Sequence, residues 1–216
     1  ETWLPGHDFL VEVDHSSGHD KFKPDGLNVS NMNARIGGSK PKLRTSKSLT
    51  AECLGEHPAV VDYTVGCGKK RKDYSVDVKL KVGDDQHMVF QPNDPPPFKS
   101  PLLKAKEYVG QSKGIDQVLF ERGLLDLNTL EPPTLNGRLD RDGVVIPGSS
   151  TKAILANCPD FKNEKSLLDQ LVYDRGHILL SSPKCHPECA GDGVEYAWGQ
   201  SKRHYRRNNT GSEQVM

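Results

Sequence analysis

Three segments show the hydrophobic pattern of β-strands. Residues 9–13 are apolar except for Glu12 and partly β-branched, which predicts a strand that ends at Asp14. Apolar and polar residues alternate over residues 74–82, which predicts a strand with one exposed face. A short apolar run at residues 177–181 predicts another strand.

Three other segments have helical spacing. Residues 114–122 place apolar side chains on one helix face and are followed by Gly123, a residue suited to end a helix. Residues 163–175 carry a leucine-rich stripe and are followed by Gly176 in the same position. A last helix is predicted over residues 193–207, and a polar tail follows it.

The remainder of the chain is rich in turns. Residues 91–101 contain five prolines and are typical of a connector, and residues 126–150 are also rich in turn-forming residues. Residues 26–50 contain no acid and five cations. These cations are Arg35, Lys40, Lys42, Arg44 and Lys47.

Composition excludes several classes of protein. No run approaches the roughly 18 apolar residues of a membrane span, and neither a collagen repeat nor sustained heptads occur. Lys plus Arg and Asp plus Glu both number 29 in the 216 residues, which argues against a uniformly basic nucleic-acid binder but allows local basic patches. Five scattered cysteines favour a reduced, intracellular protein. The chain begins without Met, which suggests a fragment.

Two acids are placed where metal ligands are common. Asp14 follows the first predicted strand, and Glu195 opens the last predicted helix. On that helix Glu195 shares a face with Trp198, Lys202 and Arg206, so a carboxylate is followed by cations. This pattern suits an acid that holds a divalent metal beside bases that bind phosphate. The alternative is that Glu195 makes ordinary contacts on a solvated helix face.

Basic stretches at residues 35–47, 69–72 and 202–207 are candidate phosphate contacts. A solvated turn or a nuclear-import signal is the alternative for residues 69–72. Trp198 and Tyr205 are able to stack on bases, although Trp198 is expected in the core. The residues we select for DNA binding are Lys40, Lys42, Arg44, Lys202, Arg203 and Arg206.

A structural zinc site is a rival hypothesis for the metal. Cys185 and Cys189 flank His186, and either His177 or Cys158 would complete a ligand set. Cys53 and Cys67 are too far apart in sequence to add a second pair at zinc-finger spacing. We favour reduced cysteines in a loop over this site.

Four sequence motifs in order resemble a family of eukaryotic DDE-type transposases that is distantly related to the mariner-like group. They are residues 13–19 with 25–28, 32–33 and 37–38; residues 114–124 (Gly-x-x-x-Val-Leu-x-Glu-Arg-Gly-Leu); residues 159–166 (Pro-Asp-Phe-x-x-Glu-Lys-Ser); and residues 183–202 (Pro-Lys-x-His-x-Glu, then Val-Glu-Tyr-x-Trp-Gly-x-x-Lys).

The resemblance implies an α/β fold with an RNase H-like core, whose amino-terminal strands are missing, and a long loop-rich insertion. Residues 1–19 and 156–208 would belong to the core, residues 20–155 to the insertion, and residues 209–216 to a disordered tail. Asp14 matches the second acid of the catalytic triad and Glu195 the third. The first acid would lie upstream of residue 1, so the isolated chain is expected to bind metal weakly.

The function implied is that of a DNA endonuclease or transposase using two Mg²⁺ or Mn²⁺ ions held by Asp14 and Glu195. His19 would order a metal-bound water or a phosphate, or have only a structural role. The resemblance also implies DNA as the partner, a nuclear location and no membrane, with a homodimer as one option. The alternative function is a catalytically dead, transposon-derived protein that binds DNA or acts as a scaffold.

Overall fold

The computed structural model describes residues 8–13, 21–66, 70–181 and 194–208, without the side chains of 194–196. The chain divides into two compact units, each treated by itself below. The central unit is Pro24–Glu164, and the discontinuous unit combines Glu1–Lys23 with Lys165–Met216. The fold is mixed α/β, with a small parallel sheet and a small antiparallel sheet.

The described strands are β1 (Leu10–Val13), β2 (Val60–Val65), β3 (Lys72–Asp77) and β4 (Ile178–Ser181). The described helices are α1 (Ala105–Tyr108), α2 (Gly114–Glu121), α3 (Thr151–Ala156), α4 (Pro159–Lys162), α5 (Leu167–Tyr173) and α6 (Val194–Asn208). Two short 3₁₀ turns span Val29–Asn31 and Ala51–Cys53. Among the described residues no helix is both long and apolar enough to cross a membrane.

In the discontinuous unit, β1 and β4 pair in parallel, from Leu10 opposite Ile178 to Val13 opposite Ser181. Parallel strands need a crossover connection, and α5 leads directly into β4. The Ser166 hydroxyl caps α5 by accepting a hydrogen bond from the Asp169 amide at 3.0 Å. The unit therefore has the order strand, helix, parallel strand, helix, with the central unit inserted after the first strand.

The central unit holds the main hydrophobic core. Helix α2 lies at its centre, and the side chains of Ile115, Val118 and Leu119 are fully buried. The other core residues come largely from loops. Among them are Leu27, Leu43, Leu49, Cys53, Ala59, Val61, Met88, Leu125, Leu155 and Phe161. The loop-rich stretch of the sequence thus builds a packed core from segments that lack a regular hydrophobic period.

The exposed-face strand predicted at residues 74–82 is displaced. Strand β3 begins at Lys72 and ends at Asp77, because the backbone then leaves the ladder. The Val78 amide makes one further bond in the same register, to the Ala59 carbonyl at 2.8 Å, and the Leu80 amide then donates to the Glu121 carbonyl at 2.9 Å instead of to β2. Sequence analysis also missed β2, the antiparallel partner of β3.

Candidate active site and nucleic-acid surface

The parallel pairing of β1 with β4 places the carboxyl ends of both strands side by side. Val13 ends β1 and lies opposite Ser181, which ends β4. Asp14 follows Val13 in the sequence, and residues 182–193 connect Ser181 to α6. In open α/β sheets the carboxyl ends of the strands are the usual place for a site. Asp14 and His19 themselves lie outside the described residues.

Glu195 lies in the first turn of α6, close to the position the sequence predicts for this helix. Its side chain is outside what the structure describes. The predicted approach of the Asp14 and Glu195 carboxylates, within reach of one or two shared metal ions, therefore stays a prediction. The described residues contain no group of three or more His, Cys, Asp or Glu side chains able to hold a metal.

Helix α6 presents a basic surface. Every side chain from 197 to 208 is exposed, including those of Lys202, Arg203 and Arg206. The ammonium group of Lys202 lies 3.6 Å from the ring centroid of Trp198. The Trp198 side chain is 61% exposed, so the expectation that it belongs to the core is wrong. An exposed aromatic ring beside cations is a suitable surface for nucleic acid.

The three cations chosen in the central unit are in different environments. Lys40 and Lys42 are exposed and make no ion pair within the described part of the chain. Arg44 instead donates to a carboxylate oxygen of Glu164 at 2.6 Å, and that carboxylate is nearly buried. Arg44 thus joins two distant segments of the central unit, and its guanidinium is less available for phosphate than those of Arg203 and Arg206.

Most of the residues proposed as zinc ligands are ones that the structure does not describe. Cys185, His186 and Cys189 lie outside the described ranges. Cys158 is a free thiol buried in the central unit, and burial raises its pKa, which favours the protonated form over the thiolate that binds zinc. The imidazole of His177 lies edge-on to Phe9, with the ring centroids 5.0 Å apart.

Sequence analysis missed a buried polar network in the central unit. The guanidinium of Arg122 is completely buried and donates to both carboxylate oxygens of Asp160, at 3.0 and 2.6 Å. It also donates to the Gln86 side-chain oxygen at 2.7 Å. The Ser46 hydroxyl donates to the same carboxylate. This bidentate pair fixes the end of α2 against α4.

The same network continues to a second buried ion pair. The ammonium of Lys113 lies 2.9 Å from a carboxylate oxygen of Glu121 and 3.2 Å from one of Asp94. The side-chain amides of Gln86 and Gln117 each donate to Glu121 at 3.1 Å. These groups form part of the wall of a cavity of about 240 Å³. Because each of them has a partner, the network stabilises the core without needing a ligand.

The pKa values of the first pair follow from its contacts. Burial alone would raise the pKa of Asp160, but the hydrogen bonds and charge of Arg122 outweigh it and hold that pKa below its ordinary value. Burial alone would lower the pKa of Arg122, and Asp160 reverses this and raises it. Both groups are therefore charged at neutral pH.

A signal for this pair was present in the sequence. Glu121 and Arg122 directly follow the apolar run of α2, and Asp160 is the second residue of the next motif of the transposase resemblance. Charged residues that extend an apolar helix call for buried partners. Nothing in one sequence, however, tells which distant acid supplies the partner.

Comparison with known proteins gives no further assignment, because no protein-family model, no curated protein and no solved structure matches this chain significantly.

Proposed function

We propose that this chain is part of a metal-dependent DNA endonuclease or transposase of the DDE type, with the discontinuous unit contributing to an RNase H-like core. The observation that carries the proposal is the parallel pairing of β1 with β4, connected through α5 and followed by α6. The motif resemblance implies a second acid at the end of a central strand and a third acid on a late helix. Asp14 and Glu195 occupy these sequence positions.

The chemistry is phosphodiester hydrolysis or strand transfer. Carboxylates are the ligands that Mg²⁺ and Mn²⁺ prefer, and Asp14 and Glu195 would hold such ions. Two bound ions supply an activated oxygen nucleophile and stabilise the leaving oxygen. Water attacks the phosphorus in hydrolysis, and a DNA 3′-hydroxyl attacks it in strand transfer. In both reactions a phosphorus–oxygen bond forms and another breaks.

Helix α6 gives this proposal its DNA partner. The helix carries Glu195 in its first turn and exposed cations about two to three turns later, so the acid and the bases share one rigid element. Lys202, Arg203 and Arg206 would bind phosphates of the strand being cut. Lys40 and Lys42 are further candidates on the central unit.

A supercoil-nicking assay tests the proposal. We expect the natural full-length protein to nick plasmid DNA with Mg²⁺ or Mn²⁺ and to lose this activity in the Asp14→Asn and Glu195→Gln variants. Glu12→Gln is the matched control, because it removes an exposed carboxylate from β1 two residues before Asp14. Equal nicking by the Glu195→Gln variant and the unchanged chain would contradict the role of Glu195.

Metal-directed cleavage tests the site independently of DNA. Fe²⁺ bound in place of Mg²⁺ generates radicals that cut nearby backbone, and mass spectrometry locates the cuts. We expect cuts near both residue 14 and residue 195, lost together in either single variant. A chain that binds DNA but shows neither metal-directed cuts nor nicking would favour the catalytically dead, DNA-binding alternative.

A further inference from the structure

The hairpin of β2 and β3 is buried at one end and exposed at the other, and we call it an arm. We define the β2–β3 arm as Val60–Val65, Lys72–Asp77 and the two residues Lys70 and Arg71 that precede β3. At its root Val61 is 2% exposed and packs in the core. Towards its tip Val65 is 53% exposed, and all side chains of residues 70–75 are exposed. Half of the ribbon therefore lies in solvent.

The register of the arm gives it two unlike faces. Residues opposite each other in an antiparallel pair share a face, and successive pairs alternate between faces. One face, which we call the tyrosine face, carries Val61 with Val76, Tyr63 with Tyr74, and Val65 with Lys72. The other, the aspartate face, carries Val60 with Asp77, Asp62 with Ser75, and Thr64 with Asp73.

The charges of the aspartate face are engaged within the arm. The Thr64 hydroxyl donates to Asp73, and the Arg71 guanidinium donates to the same carboxylate oxygen at 3.1 Å. These hydrogen bonds lower the pKa of Asp73, so it is an anion at neutral pH. With Asp62 and Asp77 also on this face, it repels phosphate.

The tyrosine face has the opposite character. The rings of Tyr63 and Tyr74 are stacked, with centroids 5.2 Å apart and planes 15° from parallel; Tyr63 is half-buried against the core, and Tyr74 is 41% exposed. Lys72 is the next residue of that face towards the tip, and Lys70 lies two residues further. Neither lysine forms an ion pair within the described residues. Unpaired lysines beside a rigid aromatic pair match the chemistry of a nucleic-acid surface.

We infer that the β2–β3 arm binds duplex DNA through the exposed half of its tyrosine face, which is formed by Val65, Lys72 and Tyr74. Lys70 and Lys72 contact phosphates, and Tyr74 lies against the sugar–phosphate backbone. A two-stranded ribbon fits the major groove, which is about 12 Å wide. The choice of DNA as the nucleic acid rests on the proposed function. The arm adds a contact on the central unit, separate from α6 and from the acids assigned to catalysis.

Two variants with the same charge change separate this inference from a general effect of charge. Lys72→Gln and its neighbour Arg71→Gln each remove one positive charge, the first from the tyrosine face and the second from the Asp73 contact. Binding of the full chain to a fluorescent 30-base-pair duplex is measured by anisotropy in EDTA at several salt concentrations. We expect Lys72→Gln to weaken binding about fivefold at 0.15 M salt and to reduce the salt slope by about 0.9.

Under the same conditions Arg71→Gln should change the affinity less than about twofold. Equal weakening by both variants, or no weakening by Lys72→Gln, would overturn the inference. Stronger arm-dependent binding to RNA than to DNA would overturn the choice of partner. A photo-crosslinking amino acid at position 74 gives a second readout, because it should crosslink to the duplex, whereas one at position 75 should not.

This assay contains no metal and is independent of nicking. If arm-dependent binding is found and nicking is not, the proposed catalytic function fails and the arm inference stands. If nicking depends on Glu195 but Lys72→Gln leaves DNA binding unchanged, the arm inference alone fails.

Discussion

The central and discontinuous units differ in how they combine regular structure with burial. The discontinuous unit has the longest described helix, α6, and a parallel strand pair, yet its large apolar side chains are widely exposed: Leu10 and Ile178 are 63% and 62% exposed. The central unit has short helices and long loops, but it holds almost all the fully buried side chains of the described residues. In this molecule, therefore, the unit with more regular secondary structure is not the unit with more buried side chains.

In the loop-rich core of the central unit, buried polar contacts take the place of the packing between sheets and helices. Buried backbone and side-chain polar groups must find partners wherever the chain runs. In the central unit Arg122 links the end of α2 to Asp160 in α4 and to Gln86 in a loop. Gln86 in turn forms an isolated bridge with Ser46. The buried ion pair and its hydrogen bonds therefore hold these loops together, as backbone hydrogen bonds hold the strands of a sheet together.

Loss of this pair should be the most damaging single change. Asp160→Ala leaves the buried Arg122 guanidinium without its carboxylate, and we expect the free energy of unfolding to fall by about 3–5 kcal/mol. Denaturant unfolding measures the loss, and hydrogen exchange read on peptides of each unit locates it in the central unit. Asp174→Ala, which removes an exposed acid after α5, is the matched control and should cost within about 0.5 kcal/mol.

If the losses in the free energy of unfolding of these two variants differed by less than about 1 kcal/mol, the network would contribute little to stability. A double variant, Arg122→Leu with Asp160→Leu, sharpens the result. It removes both charges and should lose less stability than Asp160→Ala, because no buried charge is left unpaired.

Leucine truncation compares the two units directly. Leu119 in α2 is fully buried and Leu171 in α5 is 50% exposed, so the same change to Ala meets opposite environments. We expect a loss of about 3 kcal/mol for Leu119→Ala and below about 1 kcal/mol for Leu171→Ala, measured by denaturant unfolding. Similar losses at both positions would show that Leu171 is covered in solution, and the contrast between the units would then be smaller than described.

The pH dependence of stability should give the smallest effect. The pKa of Asp160 is lowered in the folded chain, so the unfolded chain takes up a proton first as the pH falls. Its stabilising contribution is present above the unfolded pKa, about 3.9, and disappears as the pH falls through the folded value. Melting temperatures between pH 6 and pH 2 should therefore show a shallower decline for Asp160→Asn than for the unchanged chain. An identical slope would contradict the charged state of this pair.

Elements with a clear local pattern could be predicted from the sequence. The predictions for β1, α2, β4 and α6 lie within about two residues of the observed bounds, because each has an apolar period and a polar or glycine boundary. The helix predicted at 163–175 is observed as the shorter α5, since Ser166 caps its start and residues further upstream form α4 separately. Strand β3 was misplaced because the backbone leaves β2 after Asp77 and the Leu80 amide donates to the Glu121 carbonyl, which no local pattern reveals.

The core of the central unit and parts of the candidate site could not be predicted from local sequence patterns. Leu43 and Leu49 are single apolar residues in loops, so no period marks them as core. Arg44 resembled a phosphate contact by charge alone, although it pairs with Glu164. The exposure of Trp198 depends on what α6 packs against, and helical spacing does not determine that. The roles of Asp14, Glu195 and His19 remain predictions.

The parallel pair has a consequence for the order of events during synthesis. Phe9 and His177, hydrogen-bonded beside that pair, are 168 residues apart. At roughly 5–20 residues per second, β1 leaves the ribosome about 10–30 s before its partner strand is made. The intervening segment contains its own core and can fold during that delay. Until β4 emerges, the edge of β1 that pairs with it has its backbone groups available to chaperones or to neighbouring nascent chains.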